Sequence, residues 1–449
     1  MTIETAPDRR VFLLRGAMGA GALWTLSLGE LVARRRVERS RGVSPYGPVA
    51  PVRDETTGLP LLQLPEGFRY MSYAWTGDQL ADGVICPPAH DGMAVVERRQ
   101  DGRLVIVRNH ETGAGTPFVP RPEMTFSRDA SGGTTNLLFD PDAGRWKEAW
   151  ASLSGTIRNC AGGVTPWGSW ITCEETDADG HGWCFEVGAA GGDPTPLTAM
   201  GRFSHEAVMV DPATGAIYET EDAGNASGFY RFVPHVRGDL KQGGDLFMLK
   251  VKDQRNTWLG GGHSAGTTWD VEWVRIDDPR AAERSIFQQG EIKGAAGLRR
   301  LEGAWWGDRA GYFLSTSGGT TQRGQVFKYD PAGDALTLIY DAADGADCDA
   351  PDNMTVTPRG GLLLCEDSGN SVSESERLIG LTLDGRTFTF AVNNVSLPSA
   401  YNHVVQAGDY RTSELAGACY SPDGRWLFVN VQTPGITFAI TGPWGAGPL

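Results

Sequence analysis

The chain has 449 residues, including 60 glycines and 14 tryptophans, and its formal net charge is −15 at pH 7. Nucleic acids and anionic membrane surfaces are held by clustered Lys and Arg, so this charge argues against both as partners. The many glycines, with few long apolar runs, favour short strands joined by tight turns. We therefore expect an all-β fold.

The first forty residues have the pattern of an export signal. Arg9 and Arg10 precede a short, weakly hydrophobic segment rich in Gly and Ala, which is typical of twin-arginine signals. Residues 17–28 are too few to supply the roughly 20 apolar residues that span a bilayer. We expect export by the twin-arginine machinery to the periplasm or the exterior, without stable membrane insertion. No clear cleavage site follows, so a lasting tether stays open as an alternative.

A repeat runs through the rest of the chain. The segments WITCEETD (170–177), IYETEDAG (217–224) and LLLCEDSG (362–369) are apolar runs that close on Glu beside a second acid. Glu174 and Glu221 are 47 residues apart, and Glu366 follows 145 residues later, close to three times that period. A period in the forties indicates the four-stranded blades of a β-propeller.

Residues 41–449 are predicted to form one propeller domain with a central channel. We expect six blades, with seven as a minor alternative, at 90–152, 159–200, 205–251, 301–341, 352–393 and 414–442. The last segment lacks a strand, which residues 61–75 would supply to close the ring. The segment 253–299 has helical, charged character, and we predict it to be an insertion on one face.

Acidic residues are expected to gather at one mouth of the channel. The first strand of each blade lines the channel and the second runs antiparallel to it, so first-strand starts and second-strand ends meet. The first-strand starts contribute Asp91, Cys160, Glu206, Glu302 and Asp352, and the second-strand ends contribute Glu111 and the pairs Glu174-Glu175, Glu221-Asp222 and Glu366-Asp367. Such crowding requires protonation or bound cations. Oxygen ligands suit calcium, whereas Cys160 indicates a softer transition-metal position.

Simpler readings of the same residues stay open. A Glu at a strand end is commonly the solvated start of a turn, and Cys160 could be a packed small residue. The chain has seven cysteines, all beyond the signal, so at least one is unpaired in an oxidising compartment. Cys173 and Cys365 lie in apolar runs and are expected in the core.

These motifs resemble those of the PhoX family of secreted alkaline phosphatases. The resemblance covers nearly the whole exported chain and is carried by RNHE (108–111), NCAGGVTPWGSWITCEE (159–175), FSHEAVMVDPATGAIYETED (203–222), LEG (301–303), PDNMTVTPRGGLLLCED (351–367) and the ending SPDGRWLFVNVQTPGITFAITGPW. The chain is shorter than the phosphatases that define the family and is similar to its compact members.

The resemblance implies a six-bladed propeller that hydrolyses phosphomonoesters at a site of iron and calcium ions. It implies that Cys160 binds iron, that Glu206, Glu302 and Glu366 are direct metal ligands in the catalytic centre, and that Glu174, Glu221, Asp352 and Asp367 bind calcium. It further suggests that the substrate is contacted by Arg158, Arg202, Arg359 and His205.

Two other function classes stay open. One is a calcium-dependent lactonase or esterase, which would have no use for the Cys160 thiol. The other is a non-catalytic envelope propeller, which would bind partner proteins over its rim and expose an apolar patch there.

Overall fold

The computed structural model describes residues 43–369 and 374–449. The predicted export signal, residues 1–40, lies outside the described residues. Within them the chain is nearly all β, and no helix there has the length and apolar character needed to cross a membrane. The chain begins with three short strands that join sheets formed much later in the sequence: β1 (Val49–Val52), β2 (Leu62–Pro65) and β3 (Arg69–Tyr73).

Two four-stranded antiparallel sheets follow, each built from strands consecutive in sequence. The first contains β4 (His90–Arg98), β5 (Leu104–His110), β6 (Gly132–Asp140) and β7 (Arg145–Thr156). The second contains β8 (Asn159–Val164), β9 (Ser169–Glu174), β10 (Cys184–Gly188) and β11 (Gly191–Gly192). Their turns carry the Gly and Asp residues that tight hairpins require.

The third and fourth units are joined into one nine-stranded sheet. The third unit is β12 (His205–Val210), β13 (Ile217–Glu221), β14 (Phe229–Pro234) and β15 (Gly244–Val251). Next come β16 (Thr268–Arg275) and the helix α1 (Ile286–Ile292). The fourth unit is β17 (Leu301–Gly307), β18 (Ala310–Ser315), β19 (Gln325–Asp330) and β20 (Ala335–Asp341).

The strand β16 corrects the prediction for 253–299. It pairs with β15 on one side and β20 on the other, so it bridges two units. Helical character is confirmed only for α1, whereas TWDVEWVR is a strand whose first five residues alternate exposed and buried. That alternation is the period-2 signal of a half-buried strand, and the charges on its exposed face obscured it.

The last two units complete the set. The fifth contains β21 (Pro351–Val356), β22 (Leu362–Glu366), β23 (Arg377–Leu381) and β24 (Thr387–Asn393), with β2 and β1 added at its outer edge. A two-stranded ribbon of β25 (Ser396–Leu397) and β26 (Gly408–Asp409) leads to the sixth unit, β27 (Leu415–Tyr420), β28 (Leu427–Val431) and β29 (Ile436–Thr441). The predicted closure is observed, since β3 pairs with β29 from Thr437↔Tyr73 to Thr441↔Arg69.

The six units are arranged in a closed ring. Their innermost strands, β4, β8, β12, β17, β21 and β27, contact one another in that order, and β27 also contacts β4. Six apolar clusters fill the spaces between neighbouring units; in one of them, Phe428 of the last unit packs on Phe139 of the first. Each fully buried side chain of this kind stabilises the fold by about 1.5–3 kcal/mol. The predicted all-β propeller class is confirmed.

Candidate metal centre

The second residue of each innermost strand holds the same position at the channel mouth. In five units this residue is Asp91, Cys160, Glu206, Glu302 or Asp352, and in the sixth it is Ala416. A β-bulge lies at or beside this position in all six strands. A bulge bends its strand and re-aims the side chain next to it. The five predicted first-strand ligands therefore occupy equivalent places on one rim.

Close packing of the innermost strands brings these side chains together. A Cβ on Gly92 would lie 2.7 Å from the Cα of Ala161, and one on Gly303 would lie 2.8 Å from the Cα of Asn353. Real Cβ atoms essentially never approach other heavy atoms so closely. Glycine beside the bulge thus permits adjacent blades to approach each other next to their ligand residues.

Further acids come from the residue that follows the second strand in four units and from the residue that precedes the innermost strand of the sixth. With the first-strand residues they form what we call the channel cluster, nine carboxylates and one thiol among the described residues: Asp91, Glu111, Cys160, Glu175, Glu206, Asp222, Glu302, Asp352, Asp367 and Glu414. The sequence analysis placed Glu175 and Asp222 at this mouth but assigned their neighbours Glu174 and Glu221 as ligands, and it missed Glu414.

Two arginines lie among these acids. An Nη2 of Arg158 is 2.8 Å from Glu111 and also bonds Glu175, and Nη2 of Arg300 is 3.0 Å from Glu302. Each arginine directly precedes an innermost strand and has a positive φ, +49° and +37° respectively. This left-handed backbone costs about 1–2 kcal/mol in a residue with a Cβ. Arg300 was missed, although it holds the same repeat position as the predicted Arg158.

The centre of the cluster fits a metal by its donor geometry. Candidate ligand atoms of Cys160, Glu206 and Asp352 all lie within 4.8 Å of one another, and so do those of Asp91, Glu111 and Cys160. The Sγ of Cys160 is 3.4 Å from one oxygen of Glu206, whose other oxygen is buried without a hydrogen-bond partner. A buried carboxylate oxygen left unpaired is costly unless a cation or proton meets it.

Electrostatics point to the same need for cations. Burial, and then the neighbouring Glu111, raises the pKa of Asp91 well above its usual range. Burial and Asp352 do the same to the pKa values of Glu206 and Glu302. Like charges in a low-dielectric site cannot all ionise without compensation. Two arginines do not balance nine carboxylates, so metal cations are the natural complement.

Three of the predicted ligands are directed elsewhere. Glu174 accepts hydrogen bonds from the backbone N–H groups of Ile157, Gly182 and Trp183 at 2.9, 2.9 and 3.1 Å. Glu221 accepts one from a backbone N–H at 2.9 Å and one from the hydroxyl of Tyr230. Glu366 forms a paired contact with Arg377 at 2.6 and 2.7 Å. These carboxylates brace their own blades, which does not fit their assignment as metal ligands, nor that of Glu366 as catalytic.

Adjacent strand residues point to opposite sides, and this explains the correction. The residue after Glu174 and Glu221 is the one that reaches the channel cluster, Glu175 in the first case and Asp222 in the second. The predicted Asp367 holds the equivalent position and lies exposed at the rim, where its charge raises the pKa of Asp352.

The predicted substrate residues separate into two groups. Arg158 and Arg202 line a cavity of about 620 Å³ beside the cluster, and the guanidinium of Arg202 is held by two backbone carbonyls at 2.9 Å each. Arg359 lies in the turn between β21 and β22, at the opposite end of the strands, where it bonds the carbonyl of Leu449 at 3.0 Å. His205 is fully buried inside its unit. Neither Arg359 nor His205 can contact a ligand at this mouth.

Fold and site together define an all-β propeller with a group of candidate metal ligands in its channel mouth. The chain belongs to the PhoX family, because the family model described as alkaline phosphatase PhoX matches residues 44–148 and 118–435. This is a family of secreted, metal-dependent phosphatases, and the recognition of the family from its motifs is confirmed.

Comparison with curated proteins gives no match. Among solved structures, the chain is similar to a gluconolactonase from Xanthomonas campestris, with 13% identity, a TM-score of 0.42 and coverage of 88% of this chain and 98% of that one. It is also similar to the PQQ domain of pyranose dehydrogenase from Coprinopsis cinerea, with 12% identity, a TM-score of 0.37 and coverage of 87% and 98%. Likeness at this level carries no argument about activity.

Proposed function

We propose that this protein hydrolyses phosphomonoesters at the channel cluster, with iron and calcium ions as cofactors. The observation that carries the proposal is the juxtaposition of Cys160 with Asp352 and with Glu206, one of whose oxygens has no hydrogen-bond partner, in a chain of a phosphatase family. One thiol among many carboxylates suits a mixed site, in which a transition metal takes the sulfur and calcium takes oxygens.

The ions would be held by two sets of side chains whose candidate ligand atoms lie within 4.8 Å of one another: Cys160, Glu206 and Asp352, and Asp91, Glu111 and Cys160. When bound, such ions neutralise the phosphate group and polarise its ester bond. The carboxylates keep the ions in place because they are themselves fixed by the bulged strands.

Arg158 and Arg202 supply the positive charge of the adjoining cavity. Guanidinium groups bind phosphate oxygens with directed N–H donors. Arg158 is oriented by the carboxylates of Glu111 and Glu175, so it reaches the rim in a fixed direction. The side chains of Phe203 and Phe287 line the same cavity and offer an apolar surface to the organic part of an ester.

We also propose export by the twin-arginine route to the periplasm or the exterior. Support comes from the Arg9-Arg10 pair and from the secreted character of the family. Export of a folded protein suits a chain whose metal site forms only when all blades are in place.

The test is elemental analysis of the exported protein, with hydrolysis of p-nitrophenyl phosphate followed before and after chelation. We expect iron and calcium, and loss of activity on chelation. Cys160→Ala is expected to lose iron and most activity while it keeps part of its calcium. Cys419→Ala, which removes a buried thiol from an apolar cluster between blades, should keep both.

Two results would contradict the proposal. Full iron content in Cys160→Ala would exclude the thiol from the site. Calcium alone, with hydrolysis of a lactone but of no phosphomonoester, would instead favour the lactonase class.

A further inference from the structure

A second cluster of metal-ligating side chains lies between the second and third units, away from the channel. Cys184 on β10 and His205 and Glu219 on the next unit are all fully buried. The Sγ of Cys184 is 3.4 Å from Nδ1 of His205, and that nitrogen is 3.3 Å from an oxygen of Glu219. All three candidate ligand atoms lie within 4.8 Å of one another. The proposed phosphatase chemistry uses none of them.

The imidazole is oriented as in a metal-bound histidine. Its Nε2 is 3.0 Å from the carbonyl oxygen of Gly201, which can only accept a hydrogen bond, so Nε2 carries the proton. In the neutral imidazole, the Nδ1 lone pair faces the thiol and the carboxylate. Stacking on Phe203 at 3.6 Å between ring centroids holds the ring in this plane. A backbone acceptor on the far nitrogen is the usual support for a metal-ligating histidine.

Glu219 provides the independent observation. Both of its carboxylate oxygens are buried and neither accepts a well-aligned hydrogen bond, although Nδ1 of His205 lies 3.3 Å from one of them. This distinguishes it from Glu174, both of whose oxygens accept hydrogen bonds from backbone N–H groups. A carboxylate buried beside the lone pair of a neutral imidazole is unfavourable without a cation between them.

The geometry points to a site for one divalent metal ion of the zinc class, which we propose is held by Cys184, His205 Nδ1 and Glu219. In tetrahedral zinc sites, bonds of about 2.3 Å to sulfur and about 2.0–2.1 Å to nitrogen or oxygen place sulfur and nitrogen roughly 3.5 Å apart, and nitrogen and oxygen roughly 3.3 Å apart. The observed 3.4 and 3.3 Å agree with this spacing.

Cys173 is the nearest fourth donor. It is the direct cross-strand neighbour of Cys184, and their Sγ atoms are 3.7 Å apart. Two sulfur ligands of one tetrahedral zinc ion are separated by roughly 3.8 Å. Since Cys173 and Cys184 belong to one blade and His205 and Glu219 to the next, the ion would join two blades. Its role is then structural, with no open position for substrate.

The experiment uses exported protein carrying Cys160→Ala, so that the channel thiol cannot contribute. After chelation and reduction, Co²⁺ is added and the thiolate-to-cobalt charge-transfer band is measured, with Zn²⁺ as the competitor. We expect about one equivalent of cobalt per chain to produce the band, and Zn²⁺ to remove it. No phosphatase activity is read, so the outcome is separate from that of the proposed function.

Two added variants test the ligands in that background. The double variant Cys173→Ser/Cys184→Ser, which removes both thiolates, should abolish the band, and Glu219→Gln, which is nearly isosteric, should weaken cobalt binding at least about tenfold. Cys419→Ala should change neither. Absence of the band in the reduced protein would overturn the proposal. So would an exported protein lighter by two hydrogens with a Cys173–Cys184 disulfide, because that bond consumes the thiols.

Discussion

Replacement of Glu111 by Gln in the metal-free protein tests whether the channel cluster is destabilising without cations. Its carboxylate is 2.8 Å from the guanidinium of Arg158 and 2.7 Å from the side-chain amide of Gln432, and the side chain is only 14% exposed. Burial, followed by the charge of Glu175, raises the pKa of Glu111 from 4.5 to about 7, although Arg158 acts in the opposite direction.

The magnitude follows from this pKa. Because the pKa is higher in the folded chain than in the unfolded chain, the native state binds more protons between pH 4.5 and about 7. The stability that the protonated Glu111 contributes is therefore present below pH 4.5, the pKa of the unfolded chain, and is lost as the pH rises through about 7, the pKa of the folded chain. The difference corresponds to about 3 kcal/mol in the free energy of unfolding. Glu111→Gln cannot ionise and should not lose this amount.

Urea unfolding in the presence of a chelator, from about pH 4 to about pH 8, measures the effect. The free energy of unfolding of the wild type should fall by about 3 kcal/mol more than that of Glu111→Gln over this range. Glu66→Gln, which changes an exposed acid, should follow the wild type. Identical pH profiles for the wild type and Glu111→Gln would refute the reasoning. With metals restored the order should reverse, because the ions require the ionised carboxylate.

Glu174→Gln should lower the free energy of unfolding by about 1–3 kcal/mol and leave the metal content unchanged. Glu175→Gln should instead lower the metal content in elemental analysis. The opposite pattern would show that Glu174 is the ligand. Gly303→Ala should reduce metal affinity and phosphatase activity together, because its Cβ would meet the next inner strand at 2.8 Å, while Gly445→Ala, with nothing within 4 Å of its Cβ, should behave as wild type in both assays. Arg158→Gln should raise KM for p-nitrophenyl phosphate at least about tenfold with bound metal retained, and an unchanged KM would remove Arg158 from substrate binding.

The strands and turns of this protein are specified by local sequence patterns and could be predicted directly. Strand-length apolar runs between turns of Gly, Asp, Asn and Pro defined the blade segments, and the period of 47 residues between Glu174 and Glu221 defined the repeat. Hairpin geometry then placed Asp91 and Cys160 at the same mouth, since antiparallel neighbours must meet at their ends. The bulged inner strands of the structure agree with that placement.

Prediction failed where two neighbouring residues had the same chemistry. In the pair Glu174-Glu175 the sequence offers two carboxylates, and only the backbone direction at the strand end decides which one faces the channel. Arg300 was overlooked for a related reason, because its importance depends on a positive φ that aims its side chain over the rim. Likewise, the strand β16 was not predicted, because the charged residues on its exposed face hid its alternating pattern.

The sequence by itself determined the all-β class, the repeat, the closing strand and the inner-strand positions of the candidate ligands, because these depend on periodicity and on which ends of a hairpin meet. Only the tertiary structure decided which acids converge and which brace their own blade, since that choice depends on bulges, on strand direction and on the packing of blades far apart in sequence. The juxtaposition of Cys184 with His205 and Glu219 is of the same kind. It arises from the contact of two blades, and no spacing along the chain reports it.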